Sequence, residues 1–521
     1  MDLVIPTLPL MNINSINRRQ FVRLTTAGLA GGMFPFTPIL SGAAAAQEWD
    51  PRKPFLVQGS RLRVQPVLMY SLPIPKEATS WKSWGGAQTE AAIGAESDRI
   101  TGELKALAAK VDFDLEFLPL VRVSSVEAAQ KIPAQQDVTL VYACTGSGAM
   151  LRACLGITKD ALVFVRHKSG PVYYWYEALS TRYLKTGDGE PSAAPQPVSP
   201  NVSVDDVVVD DYSELQWRLR ALCAVKSLGR TRIVALGGTW GKYAPDAPQK
   251  AQERFGLKIV EVTYDDFAPQ LQRARANSNL TRTAEKWSER YLSLPRTRLL
   301  TEKRFVVNAF VLYQVFKDLM AEHDAGAFTI KSCMGTVIPM AETTACLSLG
   351  LLNDEGRLAF CESDFVIIPA GILMRYVSGK PVFLHNSTFP HNRTVTCAHC
   401  TSPRRLDGRN YAPVKVVTHY ESEYGAAPKV EVPIGQEVTF IDPDYGNPRW
   451  LGFTGHVKDN PALAACRSQQ DVEITGNWKQ LRNEARDSHW VMVYGNHLDE
   501  LGYAARKLGL RWVNLSESIG A

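Results

Sequence analysis

A chain of 521 residues is too long for one ordinary globular domain and is expected to hold two to four. Hydrophobic residues at 45% and charged residues at 21% supply apolar side chains for several cores and exclude wholesale disorder. The formal net charge is +5, of which Arg18, Arg19 and Arg23 against Asp2 contribute +2, so the rest of the chain offers no general argument for nucleic acid or an anionic membrane surface.

Asn17-Arg18-Arg19-Gln20-Phe21-Val22-Arg23 precedes a weakly apolar run from Leu24 to Leu40, and Ala43-Ala44-Ala45-Ala46-Gln47 then offers small residues to a signal peptidase. The pattern resembles a twin-arginine export signal spanning 1–46, with cleavage after Ala46 and a periplasmic or extracellular destination. Gly28, Gly31, Gly32, Pro35 and Pro38 break the run, which argues against a membrane anchor, so no membrane association is expected after cleavage. The ten residues ahead of Met11 fit such a signal poorly, which leaves Met1 and Met11 both open as the start.

Beyond the signal, Arg61 to Leu72 reads as a strand. Ile93, Ile100, Leu104, Leu107 and Val111 mark one face of a helix, and Asp114 to Val121 a further strand. Val138 to Ala143 and Ala161 to Val165 are continuous apolar runs of the kind buried in a parallel sheet. This makes 47–185 an α/β domain. A Gly- and Pro-rich stretch at 186–205 predicts a linker, after which strands Arg232 to Leu236 and Leu257 to Thr263 alternate with helices in a second α/β domain, 206–324. Gly237-Gly238-Thr239-Trp240-Gly241 closes a strand but lacks the Lys-Ser/Thr ending of a phosphate-binding loop, and it is discounted as one. Phe305 to Met320 carries a core-facing helical stripe. The remainder, 325–521, alternates strand-like stretches (Val414 to Thr418, Lys429 to Val432, Glu437 to Ile441) with Pro and Gly, predicting an antiparallel sheet or small barrel.

Nine cysteines scattered over the chain form no disulfide framework, and Cys397-Ala398-His399-Cys400 has C-x-x-C spacing without a second pair to complete a zinc site. Seven of the nine histidines lie after residue 380, so metal or proton chemistry is sought first in the last third.

There the stretches Leu351 to Gly356, Cys361-Glu362-Ser363-Asp364, Ser378 to Phe383 and His489 to Leu515 resemble the C-terminal part of the L-fucose/L-arabinose isomerase family. The sequence similarity covers about the last 190 residues, and the likeness of the first two segments is architectural. The resemblance implies an α/β chain of two flavodoxin-like parallel-sheet domains followed by a mixed C-terminal domain with an antiparallel β-barrel. It also implies aldose–ketose interconversion of a sugar or sugar derivative through an enediol, with a divalent metal, Mn2+, held by two carboxylates and a histidine.

Carried over by position, Glu362 matches the first carboxylate and His489 the histidine, while the second carboxylate falls on Asn386. An amide oxygen can coordinate a hard cation but brings no charge and is nearly useless as a base. Glu362, Asn386 and His489 are thus the expected catalytic and metal-binding set, with Asp364, His385, His399 and Tyr494 lining the substrate pocket. His391, His399 and Cys400 with His385 form a second cluster to consider. Each residue also has a plain structural reading: Glu362 a strand-end carboxylate, His489 a half-buried histidine satisfied by backbone, Asn386 a turn residue. The resemblance further implies a trimer-based homo-oligomer. A metal-dependent epimerase and a noncatalytic sugar-binding protein stay open as alternatives.

Overall fold

The computed structural model describes residues 48–56, 59–186, 201–444 and 448–517. The signal expected at 1–46 and most of the linker expected at 186–205 lie outside the described residues. From Trp49 onward the protein is one mixed α/β unit built on two parallel sheets and a closed antiparallel barrel.

In the first sheet the strands run in the order Leu115–Phe117, Leu62–Met69, Val138–Ala143, Asp160–Val165, Val207–Val209, with Val121–Val123 also pairing with Leu62–Met69; every pairing is parallel. All six residues of Val138–Ala143 are buried, as a strand covered on both faces requires. Helix Glu90–Lys110 opens at Thr89, whose hydroxyl accepts the Ala92 N–H, and buries Ile93, Ile100, Leu104 and Leu107. Glu96 sits on the same stripe. Its carboxylate is buried with the Arg166 guanidinium (2.5 Å) and the Tyr173 hydroxyl (2.6 Å), and Arg166 also reaches Glu103 (2.6 Å).

The second sheet has the order Leu358–Cys361, Ala327–Ile330, Arg232–Leu236, Lys258–Val262, again all parallel. It runs past residue 324, where composition suggests a domain boundary, because two short four-residue strands beyond that point complete it. The chain starts this sheet at Arg232–Leu236, adds a strand on one side, then crosses to the other. The order therefore reverses between Arg232–Leu236 and Ala327–Ile330, and ligands of open α/β sheets bind at the carboxyl ends of such strands. Helix Lys303–Glu322 buries the expected stripe and also Val311, Leu312 and Val315, so it is covered nearly all round.

Glu437–Pro443, His489–Tyr494, Phe383–Ser387, Thr394–His399, Ser468–Ile474 and Arg449–Asp459 pair antiparallel in that order, and Arg449–Asp459 returns to Glu437–Pro443 to close the barrel. Phe440, Phe453, Trp490 and His385 pack together within it. The intervening residues Leu384, Val491 and Val493 join the core of the α/β part. Val414–Val417 and Ala427–Val430, which alternation places with the barrel, instead form a separate three-stranded sheet with Thr297–Leu299. Among the described residues no single helix is long and apolar enough to cross a membrane.

Helix Ala345–Glu355 carries the buried Asp354 in its last turn, and the Asp354 Oδ1 accepts the backbone N–H groups of Arg404 (2.7 Å) and Arg405 (2.8 Å). Burial pushes its carboxyl up to about 7, against the opposing pull of those N–H groups and of both arginines. A carboxyl raised above its unfolded value stabilises the fold fully below about pH 4 and loses that contribution as the pH rises through about 7. Asp354→Asn keeps the acceptor oxygen without the charge. Its thermal midpoint is expected to fall less than that of the parent between pH 4 and pH 8, by an amount equivalent to a few kcal/mol at most; parallel profiles in calorimetry would refute this.

Candidate functional site

Strand Leu358–Cys361 ends at the carboxyl edge of the second sheet, and the next two residues, Glu362 (φ 67°) and Ser363 (φ 51°), both adopt the left-handed region. That conformation is costly for residues with a Cβ and clusters at functional sites. Here it is held by the Ser363 N–H on the Thr329 hydroxyl (3.1 Å) and by a two-way backbone bridge to the loop after Arg232–Leu236: Trp240 N–H to Ser363 O (3.2 Å) and Phe365 N–H to Trp240 O (2.9 Å). The turn presents Glu362 to the barrel and buries Asp364.

Asp364 has its oxygens engaged. Oδ1 accepts the backbone N–H groups of Lys242 (3.1 Å) and Val366 (3.1 Å), while Oδ2 lies 2.7 Å from His489 Nδ1. A carboxylate only accepts, so Nδ1 carries the hydrogen and the opposite ring nitrogen is turned toward Glu362, 3.2 Å from its Oε2. His399 approaches from the other side, its Nε2 3.4 Å from Glu362 Oε1. Its Nδ1 accepts the Cys400 N–H (2.9 Å), which places the hydrogen of the neutral ring on Nε2, facing Glu362. Both Nε2 atoms are buried and, though this close to the carboxylate, make no aligned hydrogen bond.

Burial pushes the Glu362 carboxyl up, but the two imidazoles outweigh it and hold it well below the usual carboxylate range. For His489, burial works downward and is overcome by Asp364 and Glu362, which bring it to about 9. At neutral pH the centre is therefore a charged carboxylate beside a cationic His489, with His399 on its other side.

Asn386 stands directly opposite His489 in the antiparallel ladder, so both side chains share the outer face of the barrel. The structure thus brings Glu362, Asp364, His399 and His489 into contact and sets Asn386 beside them. His385 points to the other face, into the aromatic interior, where burial lowers it to about 3 and keeps it neutral. Tyr494 is buried five residues beyond His489, roughly 17 Å along the strand at about 3.4 Å per residue. Asp364, expected in contact with substrate, is fully buried and orients His489 instead. His391 is exposed and bonded to its own turn.

Two residues here escape sequence reasoning. Trp240 is 37% exposed, with its ring edge-on to His489 (centroids 6.5 Å apart). Lys242 bonds the Ser488 hydroxyl and lies 3.7 Å from Asp487. Their signal is the Gly-rich stretch at a strand end. Gly237 (φ 81°) is required there, because a Cβ would come within 2.6 Å of the Tyr264 ring and 2.9 Å of the Lys331 carbonyl.

Among the described residues no group of three or more His, Cys, Asp or Glu side chains is arranged to hold a metal ion. The donor chemistry nonetheless fits a cation bound by fewer charged ligands. His489 has a carboxylate on one nitrogen, the usual support for a ligating imidazole, and on the other a buried Nε2 with no aligned hydrogen bond, where a cation would have to displace the proton. Glu362 supplies one anionic donor and Asn386 a neutral one, whereas His399 turns its Nε2 hydrogen toward that carboxylate and offers a cation no lone pair. No known family model matches the chain, and no curated protein matches it.

Proposed function

We propose that the protein is an exported, isomerase-like enzyme that moves a carbonyl between adjacent carbons of a sugar or sugar derivative, assisted by a divalent cation such as Mn2+. The observation that carries this reading is Glu362, a carboxylate kept ionised between His399 and the Asp364-oriented His489 at the carboxyl edge of a parallel sheet. The two lobes ahead of the barrel are read as flavodoxin-like, and the active form as a trimer-based homo-oligomer.

In this reading Glu362 removes the proton from the carbon next to the carbonyl, and the His399 Nε2–H gives one to the carbonyl oxygen; reversal of the two roles completes the transfer. His399 takes the part that an amide at position 386 cannot. Trp240 offers an exposed apolar face against which a sugar ring can lie. A cation held by Glu362, His489 and Asn386 would supply charge neutralisation at the substrate oxygens.

Asn386 also favours two weaker readings, a metal-dependent epimerase and a binder without turnover. One experiment separates the three. The metal content of the purified protein is measured, and a panel of aldoses and ketoses is incubated with it in deuterated water. Solvent deuterium at the carbon next to the carbonyl together with a ketose product supports the isomerase. Deuterium with inverted configuration supports the epimerase, and saturable binding without exchange supports the binder.

Asn386→Asp adds a second carboxylate beside His489. Mn2+ affinity is expected to rise by about one to a few kcal/mol, about tenfold to a hundredfold by titration calorimetry. Unchanged affinity would place the cation elsewhere.

A further inference from the structure

All nine cysteines are free thiols, and three of them meet although the sequence separates them widely. Cys346 begins helix Ala345–Glu355, Cys400 follows strand Thr394–His399, and Cys466 lies just before strand Ser468–Ile474; the three pack around Ala427. Cys346 and Cys466 pack beside Cys400, whose sulfur accepts the Arg467 backbone N–H at 3.3 Å. Cys397, the partner that C-x-x-C spacing suggests for Cys400, is buried in strand Thr394–His399 opposite Gln470 instead.

The arrangement is graded. Cys346 and Cys400 are buried, Cys466 is partly exposed, and Cys400 is the common neighbour of the other two. The two neighbouring thiols and the Arg467 N–H favour the Cys400 thiolate, the form that attacks disulfides. These side chains are not arranged to hold a metal ion. The contacts suit sulfur–sulfur exchange.

We propose that Cys466, Cys400 and Cys346 form a thiol–disulfide relay that takes oxidising equivalents from a small-molecule disulfide. The Cys466 sulfur, its proton drawn off by the neighbouring Cys400 thiolate, attacks the external disulfide, forming a mixed disulfide and expelling one thiolate, which takes that proton from Cys400. The Cys400 thiolate then attacks the Cys466 sulfur, forming an internal S–S bond and expelling the second. The two protons lost by the cysteines and the two electrons of their S–H bonds end on the two released thiols. Exchange by Cys346 at the Cys400 sulfur moves the bond inward and returns Cys466 to its thiol, with no further change in oxidation state. Because the Cys400 N–H holds His399 Nδ1, closure acts on the residue that faces Glu362.

The test treats the folded full-length protein with oxidised glutathione, quenches with acid and alkylating agent, and maps peptides without reduction. The expected product lacks two hydrogens and carries a Cys400–Cys466 or Cys346–Cys400 link. Cys466→Ser should slow formation of any link about tenfold or more, while Cys346→Ser should still close Cys400–Cys466. Intact mass on the same samples should show a transient glutathione adduct in the parent protein, accumulating in Cys400→Ser. No internal link under excess oxidised glutathione, a link between other cysteines, or an unchanged rate in Cys466→Ser would overturn the relay.

Discussion

Glu362→Gln is expected to abolish stoichiometric Mn2+ binding and to lower turnover about a thousandfold or more while leaving the protein folded. The substitution keeps the size and the left-handed backbone of the residue but removes the charge that faces His399 and His489. Loss of a positioned base alone is worth about a hundredfold to ten-thousandfold, and the same carboxylate is the one anionic donor in the proposed ligand set. Asp364 still holds His489 through Nδ1, so the imidazole is expected to keep its place. Metal analysis, turnover and far-ultraviolet circular dichroism on one preparation decide the matter. A folded variant with its metal and activity intact would reduce Glu362 to a strand-end carboxylate.

Arg166→Ala is expected to destabilise the protein by about 3–5 kcal/mol in denaturant unfolding, the scale for stripping one partner from a buried ion pair. Arg166 is fully buried and pairs with Glu96 and Glu103 beside the rings of Tyr142, Phe164 and Tyr173. Its removal leaves the Glu96 carboxylate inside the core with only the Tyr173 hydroxyl and the outer Arg99 for company. Combining Arg166→Met with Glu96→Gln should recover part of the loss, because no uncompensated charge remains. A cost under about 1 kcal/mol for the single change would mean that Glu96 reaches water.

The same residue shows how far the sequence could be read. Ile93 and Ile100 define a stripe whose missing rung is Glu96, so the helix face was legible but the charge buried within it required Arg166, seventy positions on. Apolar runs such as Val138–Ala143 announce a parallel sheet because burial on both faces leaves no alternation. Alternation in Val414–Val417 announces a strand but not its partner, and pairing with Thr297–Leu299 rather than the barrel is a distant contact that no local pattern encodes.

At the site, the resemblance singled out Glu362, Asn386 and His489, which spacing alone could not unite because a sheet edge and two barrel strands supply them. Trp240 lies in a loop whose local signature is its glycines alone, and nothing there encodes its distant contact with the His489 ring. The orienting part played by Asp364 depends on a turn of two left-handed residues, which has no signature in residue type.

That the working groups come from the loop at Trp240, the turn at Glu362, and the strands of Asn386, His399 and His489 has a bearing on how the molecule matures. Each sheet can gather its own hydrogen bonds early, but these side chains meet only after long loops have closed and the barrel has settled against the lobe, the slowest class of event in folding. Assembly of this cluster is thus the last step the chain completes and the first that partial unfolding undoes, so a preparation can show full secondary structure and still lack it.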